Sequence, residues 1–149
     1  MDLRELYQEL IVDHSKQPRN FGSIKEPDYY ADGFNPLCGD KVRLYLKVDN
    51  DVITQVKFEG SGCAISTASA SVMTEMLCGQ TIDQAEALFK VFHSMVTGSL
   101  DSDDMERISR KLAVFSGVKD YPARVKCATL AWHTLHNALV RRDETAKTE

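Results

Sequence analysis

Apolar residues recur along the chain with two different periods, and the change from one to the other divides it. Leu3, Leu6, Tyr7, Leu10, Ile11 and His14 fall at helical spacing on one face. That spacing predicts a helix over residues 2 to 17, with Asp2 as N-cap, Glu5 three residues on, and Pro18 as its stop. Residues 18 to 40 are rich in Pro, Gly, Asn and Asp and read as a loop, within which Tyr29 and Tyr30 begin a short strand. The period then drops to two. Val42, Leu44, Leu46 and Val48 alternate with polar or amphipathic residues, as do Val52, Thr54, Val56 and Phe58. Asp49, Asn50 and Asp51 between the runs predict the turn of a β-hairpin.

After residue 60 the helical period returns. One helix runs from Ile65 to Leu77 and stops at Gly79. A second, capped by Thr81, runs from Ile82 to Val96 and stops at Gly98. A third carries Met105, Ile108, Leu112 and Phe115, capped by Ser102 or Asp103 and ended by Gly117. The last carries Ala128, Ala131, Trp132, Leu135 and Leu139. Strands early and helices late predict an α+β fold, with a small antiparallel sheet of about three strands covered by helices on one face. Neither a repeat nor a linker interrupts the pattern, so residues 1–149 read as a single domain, with about 141–149 a frayed polar tail.

Composition narrows the function. The 149 residues are 43% hydrophobic and 27% charged, as in a soluble globular protein able to hold its own core. No apolar run reaches membrane-spanning length, and the N-terminus lacks a basic segment followed by an apolar stretch. A cytoplasmic location is expected, with no membrane partner. A net charge of −4 argues against nucleic acid, whose phosphates are met by Lys and Arg.

The candidate chemistry lies in the cysteines. Cys38 sits in Asn35-Pro-Leu-Cys38-Gly-Asp40, Cys63 follows Gly60-Ser-Gly62, and Cys127 opens the last apolar helical pattern. No CxxC pair is present, which disfavours a thioredoxin-like dithiol and a zinc ribbon. An antiparallel pair of strands brings its start and finish together, so Cys38, Asp40 and Cys63 are expected to be neighbours. If the last helix docks its N-terminal end there, three thiols and a carboxylate make four ligands suited to tetrahedral zinc. Helix N-termini near Cys63 and Cys127, with Arg124 and Lys126, are expected to favour the thiolates. Asp40 is a harder ligand than thiolate and suggests a set in which one ligand leaves. Cys78 reads as a small buried hydrophobe, and His14 as a packed histidine. His93, His133 and His136 have no thiol neighbours in sequence. No HExxH motif points to a hydrolytic zinc enzyme.

Taken together, Asn35-Pro-Leu-Cys38-Gly-Asp40, Gly60-Ser-Gly-Cys63-Ala-Ile-Ser-Thr-Ala-Ser-Ala70 and Pro122-Ala-Arg-Val-Lys-Cys127-Ala-Thr-Leu130 resemble the U-type iron–sulfur assembly proteins (IscU/NifU-N-like). The opening Leu6-Tyr7, Asp13-His14 and Pro18-Arg-Asn20 pattern extends the resemblance over nearly the whole chain. Scaffold-type members carry a His immediately before the third cysteine, where this chain has Lys126. They also have a shorter interval between the second and third cysteines, which here leaves room for an additional helix at about residues 102 to 116. Both departures are similar to the SufU type. That resemblance implies a SufE/IscU-like fold, a zinc ion (Zn2+) held by Cys38, Asp40, Cys63 and Cys127, and a sulfurtransferase role. A PLP-dependent cysteine desulfurase of the SufS kind would present a persulfide. A histidine of that partner would replace Cys38 on the metal. Cys38 would accept the sulfur and pass it to downstream SUF scaffold proteins. Two other readings stay open: a scaffold that assembles a 2Fe–2S cluster on the same ligands, and an adaptor that zinc merely folds.

Overall fold

The computed structural model describes residues 2–141 and 145–148. The first helix, α1 (Leu3–Lys16), starts at Asp2, whose side chain accepts from the Glu5 N–H. Strand β1 (Tyr29–Asn35) is longer than the pair of tyrosines suggests, and it pairs antiparallel with β2 (Asp40–Asp49). The four-residue connection 36–39 therefore closes a second hairpin in a stretch whose Gly and Asn content reads as loop. The expected hairpin is β2 with β3 (Val52–Ser61). Its two turn residues, Asn50 (φ 48°) and Asp51 (φ 67°), both take the left-handed conformation that short hairpin turns require.

Helices α2 (Ala64–Leu77) and α3 (Ile82–Val96) lie where the periodicity places them, and Thr81 and Gln84 form a reciprocal capping box on α3. The expected single helix near 102–116 is instead three short pieces: α4 (Ser102–Arg107), α5 (Arg110–Ala113) and a 3-10 turn (Val114–Val118). Asp101, rather than Ser102 or Asp103, caps α4. The break falls at Ile108, which is extended (ψ 146°), because Ser109 caps a new helix by accepting from the Leu112 N–H. The last helix, α6 (Pro122–Leu139), begins a turn and a half before Cys127, with Pro122 in its first turn.

The sheet has four strands rather than about three, in the order β3-β2-β1-β4. The fourth, β4 (Ala146–Lys147), runs parallel to β1 beside Gly33 and Phe34. It lies in the segment expected to fray: Ala146 and Thr148 are buried, and the Thr148 N–H donates to the Phe34 carbonyl. Residues 142–144 and 149 of that segment lie outside the described residues.

One face of the sheet packs on α6 and α2, with Leu44, Leu46, Ile53, Phe92, Phe115 and Trp132 fully enclosed. Helix α2 is buried on most of its surface through Ser66, Ala68, Ser69, Ala70 and Ser71, small side chains that let neighbouring elements approach. Gly33 does the same for α6: a Cβ there would collide with the Thr134 hydroxyl. This close seat brings the N-terminal half of α6, and Cys127 with it, to the end of the sheet where β2 begins and β3 finishes.

Candidate metal centre

The register places the first two candidate donors, Cys38 and Asp40. Asn35 and Asp40 pair directly across β1 and β2 and are fully buried. Asp40 is thus the first residue of β2, not a loop residue. Cys38 lies exposed at the tip of the turn between them, where Gly39 takes φ 74° and its N–H closes on the Asn35 carbonyl. At the finish of β3, the Cys63 N–H donates to Asp40 Oδ1 at 2.7 Å. Cys63 is also the N-cap of α2, its Sγ accepting from the Ser66 N–H at 3.4 Å. Helix α6 contributes Cys127, which is 4% exposed and has its Sγ 3.4 Å from that of Cys38.

The ligand atoms of Cys38, Asp40 and Cys127 all lie within 4.8 Å of one another. Cys63 adjoins this group, its Sγ 3.9 Å from Asp40 Oδ2. The structure thus assembles the four residues singled out by sequence, three as a compact set and the fourth at its edge. Cys78 stands apart and is exposed, not buried: it is the C-cap of α2, its thiol donating to the Thr54 carbonyl at 3.5 Å.

The electrostatics differ from expectation at one ligand. Only Cys63 meets a helix N-terminus. Cys127 lies inside α6, and its thiol is pushed well up from the usual range, first by burial and then by the neighbouring Cys38, Cys63 and Asp40. The exposed Arg124 guanidinium lies over the Tyr121 ring, 4.6 Å from its centroid, and Lys126 is half-buried. Three crowded thiols and a buried carboxylate repel one another when ionised. A divalent cation would remove that repulsion, and thiolates with one carboxylate fit zinc. This donor set therefore fits a metal.

Two residues near the site carry no role in the sequence reading. The Asn35 amide donates from Nδ2 to Asp40 Oδ2 at 3.0 Å and to Cys127 Sγ at 3.5 Å. Tyr7 on α1 has a buried hydroxyl without a hydrogen-bond partner among the described residues. Burial raises its pKa, Arg124 opposes the shift, and Cys63 and Cys127 add to it. Both residues stand in the sequence motifs, but only the fold shows where their polar atoms point. His14 is a packed histidine as expected: it is buried, with Nδ1 2.7 Å from the Ser71 hydroxyl. His93, His133 and His136 surround Phe89 on α3 and α6, away from the thiols.

Comparison with known proteins shows what the chain as a whole is similar to. Residues 6–128 match the family described as the NifU-like N-terminal domain. The chain is 40% identical over 147 residues to the zinc-dependent sulfurtransferase SufU of Bacillus subtilis (strain 168), with 95% of each chain covered. It is 39% identical over 139 residues to the iron–sulfur cluster assembly scaffold protein IscU of Streptococcus pyogenes serotype M1, covering 93% of this chain and 86% of that one. Among solved structures, FiSufU of the SUF system from Fervidobacterium islandicum AW-1 superposes with a TM-score of 0.81 at 41% identity, covering 91% of this chain and 98% of that one.

Proposed function

The chain belongs to the NifU-like N-terminal domain family, and on that footing we propose that it is a zinc-dependent sulfur carrier for iron–sulfur cluster assembly. Cys38, Asp40, Cys63 and Cys127 would hold the zinc. Bound there, zinc would keep the thiols deprotonated at neutral pH and lower their reactivity until sulfur is delivered.

The observation that carries this reading is the unequal support of the four donors. Asp40 accepts from the Cys63 N–H and from Asn35, Cys63 caps α2, and Cys127 is buried against Asn35. Cys38 is exposed at a turn tip, and its sole polar contact among the described residues is the Cys127 thiol. It would be the donor able to depart while the other three held the metal. Freed as a thiolate, Cys38 attacks the outer sulfur of a persulfide on a cysteine desulfurase. A new sulfur–sulfur bond forms on Cys38, the donor's sulfur–sulfur bond breaks, and the electron pair leaves with the desulfurase thiolate. Cys38 then carries the persulfide onward to the SUF machinery. Leu37 beside it is exposed as well, 59% accessible.

The cluster-scaffold reading retains support from the similarity to IscU. Lys126 before Cys127 and the segment 102–118 favour sulfur transfer. Metal analysis with absorbance spectroscopy separates the two. About one zinc per colourless chain is expected for a tetrahedral three-Cys, one-Asp site. Iron and sulfide with visible charge-transfer bands, retained after anaerobic purification, would replace sulfur transfer by the scaffold reading.

A further inference from the structure

Asn35 is buried completely, and half of its amide is unused. Its Oδ1 has no hydrogen-bond partner among the described residues, an arrangement that costs stability. The donor end is fully engaged: one hydrogen goes to Asp40 Oδ2 at 3.0 Å and the other to Cys127 Sγ at 3.5 Å. Both neighbours are acceptors when ionised, so the amide nitrogen must face them and the orientation of the group is settled by chemistry. The two acceptors come from separate elements, the start of β2 and the interior of α6, so this one amide ties them together. The cross-strand pairing of Asn35 with Asp40 puts both side chains on the face that α6 covers.

We propose that Asn35 is a positioning residue whose amide clamps Asp40 and Cys127 as a pair, so that the metal remains on the chain while Cys38 is away from it. The inference rests on the metal reading above. An amide donating to two anionic acceptors fixes the carboxylate rotation and the Cys127 rotamer together. Without it each ligand selects its orientation alone. The clamp matters most when Cys38 has departed and three donors remain. A Gln at this position would carry the amide one bond too far, and an Asp would face its own negative charge toward two anions.

The test follows zinc release to a chromogenic chelator from the zinc-loaded chain and from Asn35→Ala and Asn35→Asp. Removing such a partner of metal ligands is expected to speed release roughly 10- to 100-fold, with the isosteric Asp variant at the upper end. The acceleration should be larger in a Cys38→Ser background than in the wild-type one. A merely structural Asn35 would lower the melting temperatures of the metal-free and zinc-loaded chains equally. A clamp instead shrinks the rise in melting temperature that zinc produces. Should Asn35→Asp fail to fold, Asn35→Ala and Asn35→Ser carry the same comparison. Release at the wild-type rate with an undiminished zinc-induced rise overturns the clamp alone. A wild-type chain that takes up no zinc overturns the clamp and the metal reading together.

Discussion

At the scale of single residues, the site depends on how closely β3 ends against Asp40. A Cβ at Gly62 would sit 2.5 Å from Asp40 Oδ1 and 3.0 Å from its Cβ and Cγ. The backbone there is ordinary, so Gly62→Ala carries no conformational penalty and acts only by pushing a buried carboxylate. We expect about tenfold weaker zinc binding with the fold retained, read by chelator competition and circular dichroism; zinc affinity equal to wild type would mean Asp40 is not a ligand. The four candidate donors were legible in the sequence because three thiols in separate motifs, with a carboxylate two positions from the first, have few other uses. Asn35 was not. A buried amide announces nothing until its register partner and the helix above it are known. Cys78 misled for a related reason: the apolar stripe of α2 runs up to it, but the helix ends there and leaves it at the surface.

Among elements, the site requires α2 and α6 to hold a fixed relation, since one presents Cys63 and the other Cys127. Ser69 supplies a direct tie. Its hydroxyl donates to the Ala128 carbonyl at 2.6 Å and accepts from Trp132 Nε1 at 3.1 Å. In Ser69→Ala the enclosed indole N–H loses its acceptor, which costs about 1–3 kcal/mol, so the urea midpoint should fall with the slope unchanged. An unchanged midpoint would show that packing of Trp132 on Phe92, rings 4.4 Å apart, suffices without the bond. Long periodic helices were readable from sequence because burial imposes the period. The segment 102–118 was not, because Met105, Ile108, Leu112 and Phe115 keep helical spacing across a break that the hydroxyl of Ser109 creates. Strand β4 escaped for the opposite reason. Two residues of pairing leave no periodic trace in a polar tail.

For the whole molecule, the buried imidazole of His14 and the half-buried one of His133 couple folding to pH. His14 is held below its usual pKa chiefly by burial and next by Arg19; Lys111 acts in the same direction, while Glu75 and Asp13 oppose. His133 is lowered by burial, His93 and His136. A histidine lowered in the folded state binds its proton more readily when unfolded. Its stabilising contribution is therefore present above the unfolded value of about 6.5 and is lost as pH falls through the lower folded value. The melting temperature of the metal-free chain should drop as pH goes below about 6.5, and His14→Gln should flatten that drop. An identical pH profile in the variant would remove His14 as a source. Metal-free protein is the right sample, because protons also compete with zinc for the thiolates.

The central claim is that Cys38 receives sulfur while the other donors keep the metal. It is tested most directly by mixing the zinc-loaded chain with a cysteine desulfurase and cysteine, then mapping thiol-labelled peptides by mass spectrometry alongside zinc content. The account predicts one added sulfur on the Cys38 peptide, none on those of Cys63 and Cys127, and zinc retained. Sulfur on Cys63 or Cys127, or no sulfur on Cys38 while the desulfurase turns over, would contradict it.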